Sequence, residues 1–252
     1  MSKPIIPWMG ESVDLSNKLC RMLKGIEPYV EPFAGGAAIF FLKKPSQVEV
    51  INDLNGDLVN LYRIVKYHLD EFVRHFRWAM VSREEFLLAK KVDPTTLTDV
   101  QRAARFYYLQ KLAFGGKPVG QTFGTAKTTP PKLNLLRIEE DLSLAHLRLA
   151  RTTIEHLPWD ECITRYDSID TVFYLDPPYW GTTGYGSDFT FDNYAKMAEL
   201  ASSCSGKLVI SINDHPDIRE VFNEFKCQSI PITYTVGGST NAAKRRELII
   251  TS

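Results

Sequence analysis

Residues 171–179 read Thr-Val-Phe-Tyr-Leu-Asp-Pro-Pro-Tyr. The apolar, β-branched and aromatic run predicts a buried strand from Thr171 to Leu175. The two prolines that follow stiffen the turn and fix where the flanking side chains point. In an open α/β sheet this end of a strand is where ligands sit. Asp176 can accept a hydrogen bond from an exocyclic amine, and the Pro177 carbonyl offers a second acceptor. Together they draw the nitrogen toward a tetrahedral geometry with an available lone pair. Pro178 holds the turn, and Tyr179 supplies a ring that can stack on a base, as a flipped-base pocket requires.

Similar strand ends lie on both sides. Tyr29-Val30-Glu31 predicts a short buried strand that ends at Pro32 and opens into Phe33-Ala34-Gly35-Gly36-Ala37-Ala38, with a helix over Ala37 to Leu42. Val48 to Ile51 predicts a second strand, closed by Asn52-Asp53. Apolar residues at helical spacing predict a long helix from about Asp57 to Ala79. Ser82 caps a further helix start, and helices are expected over about Asp99–Phe114 and Ile138–Leu149. Leu208–Ile212, Ile230–Val236 and Glu247–Thr251 read as strands, the last two as a hairpin. Asn193–Ala201 and Pro216–Phe225 read as helices. Strands alternating with helices imply a mostly parallel sheet covered on both faces, interrupted by a helical block. The boundaries expected are a sheet domain of residues 1–64 and 149–252, with residues 65–148 inserted.

Glycines at 35 and 36 let the backbone approach a ligand closely, and Phe33 can lie against it. Asp53, roughly 20 residues beyond and at the end of the next strand, suits an acid that contacts ribose hydroxyls. Neither G-x-G-x-x-G nor G-x-x-x-x-G-K-S/T is present, which disfavours nicotinamide cofactors and nucleoside triphosphates.

The chain has 252 residues, of which 44% are hydrophobic and 24% charged, and its formal net charge is zero. That suits one large α/β domain, or a catalytic domain carrying an insertion. The charge is unevenly spread. From Gln101 to Arg137 there are seven basic residues and no acid, with Phe106, Tyr107, Tyr108, Phe114 and Phe123 among them. Such a stretch serves equally as a solvated helix face with a loop, or as a surface that follows phosphates and contacts bases. Its candidates for DNA binding are Arg105, Lys111, Lys117, Phe123, Lys127 and Lys132, joined near the end of the chain by Lys244, Arg245 and Arg246. Gly115 to Pro131 is expected to be a long functional loop. Cys20, Cys162, Cys204 and Cys227 lie far apart and form no metal or disulfide pattern, so reduced thiols in an intracellular protein are expected. No His or Cys pair has metal-ligand spacing. No signal-peptide pattern opens the chain, and no apolar run approaches the ~18 residues that span a bilayer.

Taken as a set and in order, Pro7-Trp8-Met9-Gly10, Val30-Glu31-Pro32-Phe33-Ala34-Gly35-Gly36, Asn52-Asp53-Leu54-Asn55-Gly56-Asp57-Leu58 and Asp176-Pro177-Pro178-Tyr179 resemble the Dam-type (D12 class) adenine-N6 DNA methyltransferase family. The resemblance spans almost the whole chain. It implies a Rossmann-like S-adenosylmethionine-dependent methyltransferase sheet with an inserted, mainly helical target-recognition domain. It implies double-stranded DNA as partner, no metal and no membrane, a cytoplasmic place in a bacterial or phage-infected cell, and a plausible monomer. The cofactor would be held by Trp8, Gly10, Glu31, Pro32, Phe33, Gly35, Gly36, Asp53 and Asp176. The flipped adenine would meet Asp176 and Tyr179. The sequence departs from the family pattern at Glu11-Ser12, where relatives carry Gly-Lys, and at Leu109-Gln110-Lys111, where relatives specific for GATC carry Leu-Asn-Arg. Lys111 is the candidate base reader on that likeness. Cytosine N4, an RNA adenine and a protein glutamine are the other amines to weigh, and a non-catalytic DNA-binding relative is the other class.

Overall fold

The computed structural model of the chain describes residues 3–8, 13–23, 25, 27–125, 130–182, 189–233 and 244–252. Gly10, Glu11, Ser12, Lys127 and the pair Gly237-Gly238 lie outside them, as do the side chains of Lys244 and Arg245. A seven-stranded sheet organises the molecule. In chain order its strands are β1 (Tyr29–Glu31), β2 (Glu49–Asn52), β3 (Thr153–Glu155), β4 (Val172–Leu175), β5 (Lys207–Asn213), β6 (Lys226–Thr233) and β7 (Lys244–Thr251). In space they lie as β3-β2-β1-β4-β5-β7-β6. β1 to β5 run parallel to one another, while β7 is antiparallel to both β5 and β6.

Alternation along the strands builds two cores. Tyr29, Ile51, Tyr174, Val209 and Ile249 face one side, where α1 (Val13–Met22), α2 (Ala38–Leu42) and α3 (Gly56–Tyr67) pack. Val30, Val50, Phe173, Leu175, Leu208, Ile210, Leu248 and Ile250 face the other, under α8 (Trp159–Tyr166), α9 (Phe191–Ser203) and α10 (Pro216–Val221). A two-residue side-chain period permits this, because successive side chains leave opposite faces of a strand.

Between α3 and β3 the chain forms α4 (Leu69–Arg74), α5 (Arg83–Lys91), α6 (Asp99–Leu112) and α7 (Ile138–Leu149). Ser82 caps α5 by accepting from the Glu85 amide, and Thr98 with Gln101 forms a capping box on α6. These helices do not bury a core of their own. Phe72, Phe76, Phe86, Phe106 and Tyr107 belong to the same apolar cluster as Tyr29 and Ile51. The expected helix over 57–79 is broken at His68, whose backbone leaves the helical region at φ −134°. The helix expected to reach Phe114 stops at Leu112, because Ala113 is extended and Gly115 and Gly116 take positive φ. Three short elements, α1, β3 and α8, were not expected. Among the described residues no helix is long and apolar enough to cross a membrane, and no group of three or more His, Cys, Asp or Glu gathers as metal ligands would.

A buried ion cluster fastens the returning helix α7 to the sheet. Glu49, at the start of β2, receives Lys43 Nζ at 2.6 Å and Arg148 Nη2 at 2.8 Å, with Arg148 Nη1 on its other oxygen. The same Arg148 guanidinium donates to the Phe40 carbonyl at 2.7 Å and lies over the Phe40 ring. Burial pushes the Glu49 carboxyl up, but the bonds from Arg148 and Lys43 outweigh it and hold the group below its usual range. Removing one partner of a buried pair leaves charge uncompensated. Glu49→Gln strips Lys43 and Arg148 of the carboxylate they share and is therefore expected to destabilise the fold by about 3–5 kcal/mol in urea unfolding. A loss below about 1 kcal/mol, the worth of an exposed pair, would contradict this reading of the cluster.

Candidate active site

The strand order reverses between β1 and β4, so the connections that leave their carboxyl ends diverge and open a crevice. A cleft of about 610 Å³ occupies that place. It extends from Trp8, Gly35 and Asp53 past Glu31 and Tyr174 to Asp176 and Pro178. Sequence motifs separated by over a hundred residues therefore border one cavity.

The turn after β1 forms the floor. Gly35 has φ +48°, and a Cβ on it would lie 2.7 Å from Trp8 Nε1, so glycine is required on both counts. The Gly35 amide donates to Asp53 Oδ2 at 2.9 Å, and its carbonyl accepts from the Tyr62 hydroxyl at 2.5 Å. Asp53 also receives the Asn55 amide on Oδ1 at 2.8 Å, while burial raises its carboxyl pKa. Asn52 makes the neighbouring join: its amide donates to the carbonyls of Pro32 and Leu157 and its oxygen accepts from the Leu157 amide. Leu157, Pro158 and Trp159 thereby line the cleft. Trp159 stacks on Phe33 with ring centroids 5.7 Å apart, and Phe189 meets Phe33 edge-on.

At the other end, Ser211 Oγ donates to Asp176 Oδ1 at 3.3 Å and shares a 2.8 Å hydrogen bond with the Tyr174 hydroxyl. The Pro178 carbonyl accepts from the Tyr194 hydroxyl at 2.6 Å, which steadies the turn. Tyr179 does not line the cleft. It is 8% exposed, and its hydroxyl donates to Glu247 Oε1 at 2.5 Å, anchoring the turn to β7. Among the described residues the lining holds the acids Glu31, Asp53, Asp160 and Asp176 and no Lys, Arg or His.

The residues singled out for DNA binding are dispersed. Arg105 donates to the carbonyls of Ala89 and Lys90 at the end of α5, a structural role. Lys111 lies over the Tyr107 ring, and Phe123 packs edge-on against Phe86 with Arg83 over its ring. Arg246 donates to Ser229 Oγ and pairs with Asp214. Lys117 and Lys132 are exposed. Trp159 lines the cleft although the sequence did not single it out, and Tyr62, Asn52 and Ser211, to which the sequence assigned no role, support the residues that line it. Trp159 could not be placed because the three-residue strand β3 before it carried no detectable pattern. The others look like ordinary strand-end and helix residues until the chain is folded.

A profile of the D12 class N6 adenine-specific DNA methyltransferases matches residues 8–236. The chain belongs to this family. It is 27% identical to the retron Ec67 DNA adenine methylase of Escherichia coli, over 98% of this chain and 90% of that protein. It is 25% identical to the DNA adenine methylase of Haemophilus influenzae, over 98% and 92% of the two chains. It is also 25% identical to a type II methyltransferase of Paramecium bursaria Chlorella virus NC1A, over 88% and 87%.

Glu31 carries a measurable consequence of the cleft. The residue is 1% exposed and accepts from the Tyr29 hydroxyl at 2.5 Å, and burial pushes its carboxyl up to about 7. A folded pKa above the unfolded value means that the fold binds this proton more tightly. The associated stability is present at low pH and fades as pH rises through about 4.5 to 7. Glu31→Gln imitates the protonated form. It is expected to match the parent near pH 4 and to exceed it by about 3 kcal/mol at pH 8 in urea unfolding. A difference that stays flat over that range would contradict the assignment.

Proposed function

We propose that this protein transfers the methyl group of S-adenosylmethionine to the N6 amine of adenine in a specific double-stranded DNA sequence, with the base flipped out of the duplex. The observation that carries this reading is the acid-lined cleft that reaches from Asp53 to Asp176, together with membership of the family. An acidic lining without a lysine or arginine repels phosphate groups and suits a ligand that bears a sulfonium and an ammonium. The aromatic lining of Phe33, Trp159 and Phe189 suits a planar purine, and the Asp53 carboxylate at the cleft suits ribose hydroxyls. These residues, with Trp8, Gly35, Gly36, Pro32 and Glu31, would hold the cofactor. When bound, S-adenosylmethionine supplies an activated methyl group.

The chain's own groups position and polarise the amine. Asp176 accepts one N–H of the flipped adenine, and the Pro177 carbonyl accepts the other. The N6 lone pair would then take the methyl group as its bond to sulfur breaks, leaving S-adenosylhomocysteine, and the surplus proton leaves by way of Asp176 to solvent. Ser211, itself held by Tyr174, orients the Asp176 carboxylate. No covalent bond to the protein is needed. Residues 65–148 are the proposed target-recognition insertion. Lys117 and Lys132 are suited to phosphate contacts there, whereas Arg105 serves the insertion from within. The place of action follows the DNA, in the cytoplasm of a bacterial or phage-infected cell.

Asp176→Ala tests the chemistry apart from binding. Transfer of label from S-adenosylmethionine to duplex DNA is expected to fall by at least about 10²–10³-fold, the scale of losing one placed polar group at the reacting centre. Calorimetric affinity for S-adenosylhomocysteine is expected to stay within a few-fold. Near-parental turnover would show that Asp176 does not polarise the amine.

A further inference from the structure

The loop after α6 lies close to the cofactor end of the cleft. Ala113 bridges Phe123 antiparallel, the Phe114 amide donates to the Thr122 carbonyl at 2.8 Å, and the Gly124 amide donates to the Leu112 carbonyl at 2.8 Å. These bonds close residues 113–123 into a compact loop. Two buried amides fill its base: Gln110 is fully buried and Gln121 is 8% exposed. Gln110 Nε2 donates both its hydrogens, to the Pro7 carbonyl at 3.0 Å and the Gly116 carbonyl at 2.6 Å. Gln110 Oε1 accepts from Gln121 Nε2 at 2.8 Å. The reverse orientation of the amide would set oxygen against two carbonyl oxygens, so the partners dictate the direction of every bond.

Both carbonyls held by Gln110 belong to the cofactor end. Pro7 precedes Trp8, whose ring rests on Gly35. Gly116 has φ +66° and lies on the backbone of Pro7 and Trp8, where a Cβ would come within 3.1 Å of the Pro7 carbonyl oxygen. Two residues further on, Pro118 and Val119 line the cleft. One amide pair thus joins the insertion, the Trp8 segment and the cleft wall. Buried amides cost free energy unless every polar atom is paired, and apolar side chains could fill the same space. What the amides add is orientation.

We propose that Gln110 and Gln121 are positioning residues for the cofactor, and that the loop they hold forms an outer wall of the cofactor site. This rests on the reading of the cleft as an S-adenosylmethionine site. The insertion then serves the cofactor as well as the target, and the Leu109-Gln110-Lys111 segment acts through a buried amide.

The test uses the full chain with Gln110→Met and, separately, Gln121→Met, which leaves both carbonyl bonds of Gln110 in place. Each is titrated calorimetrically with S-adenosylhomocysteine and, without it, with a short mixed-sequence DNA duplex. The rise in thermal midpoint caused by S-adenosylhomocysteine is read against each variant's own ligand-free value, which separates ligand binding from any loss of stability. Gln110→Met is expected to weaken S-adenosylhomocysteine by about 10-fold or more and Gln121→Met by less, with duplex affinity within about twofold of the parent. Should Gln110→Met fail to fold, Gln121→Met alone decides, by a smaller loss of S-adenosylhomocysteine affinity with duplex binding kept. Unchanged S-adenosylhomocysteine affinity would overturn the proposal, and so would duplex binding that falls in the same proportion. A parent protein that does not bind S-adenosylhomocysteine would instead refute the reading of the cleft itself.

Discussion

The peptide of Gly35 is held from both ends, its N–H by Asp53 and its carbonyl by Tyr62, with the Trp8 ring packed where a side chain would otherwise stand. The site depends on this constraint. A loop at the end of β1 has many conformations open to it, and each residue fixed in one of them costs about 1–2 kcal/mol of entropy. Here the cost is met by groups from β2, α3 and the N-terminal segment, which together hold the floor of the cleft in one conformation. Pre-organisation of this kind leaves less ordering to be done on binding.

The two ends of the cleft are built by different means. At the Asp53 end the supports are backbone bonds to Asp53, Asn52 and Gln110, and they set the shape of a turn. At the Asp176 end the carboxylate follows directly on β4 in a stiff Asp-Pro-Pro segment, and Ser211 bonds to it from the neighbouring strand and to Tyr174. Register links the two ends. Pairing of Val30 with Phe173 and of Leu175 with Ile210 brings Glu31 beside Tyr174 and Asp176 beside Ser211. A slip of one residue would turn Asp176 to the opposite face and part it from Ser211.

Much of this was legible in the sequence, where local chemistry left a mark. The bounds of β1 are legible because Pro32 ends the strand, and the start of α5 because Ser82 caps the helix and acids follow it. The Asp-Pro-Pro-Tyr turn was placed at its strand end, and Gly35 with Asp53 was paired across the β2 connection. What escaped depends on distance along the chain. Asn52 bonds to Leu157, and Gln110 to Pro7, across about a hundred residues, and no local pattern encodes either join. β3 is three residues long and partly exposed, too short for alternation to register, and with it went Trp159. The acid-free stretch shows the limit of counting charges. Arg105 is spent on the end of α5 and Arg102 pairs with Asp57 and Asp99, partners that the stretch itself does not contain.

The central claim is that one cleft brings an activated methyl group to the N6 amine of adenine. The most direct measurement incubates duplex DNA with the protein and methyl-labelled S-adenosylmethionine, digests the DNA to nucleosides and separates them. The account predicts label in N6-methyladenine and in no other nucleoside. Label in N4-methylcytosine, or label that enters RNA or protein while DNA stays unlabelled, would contradict it.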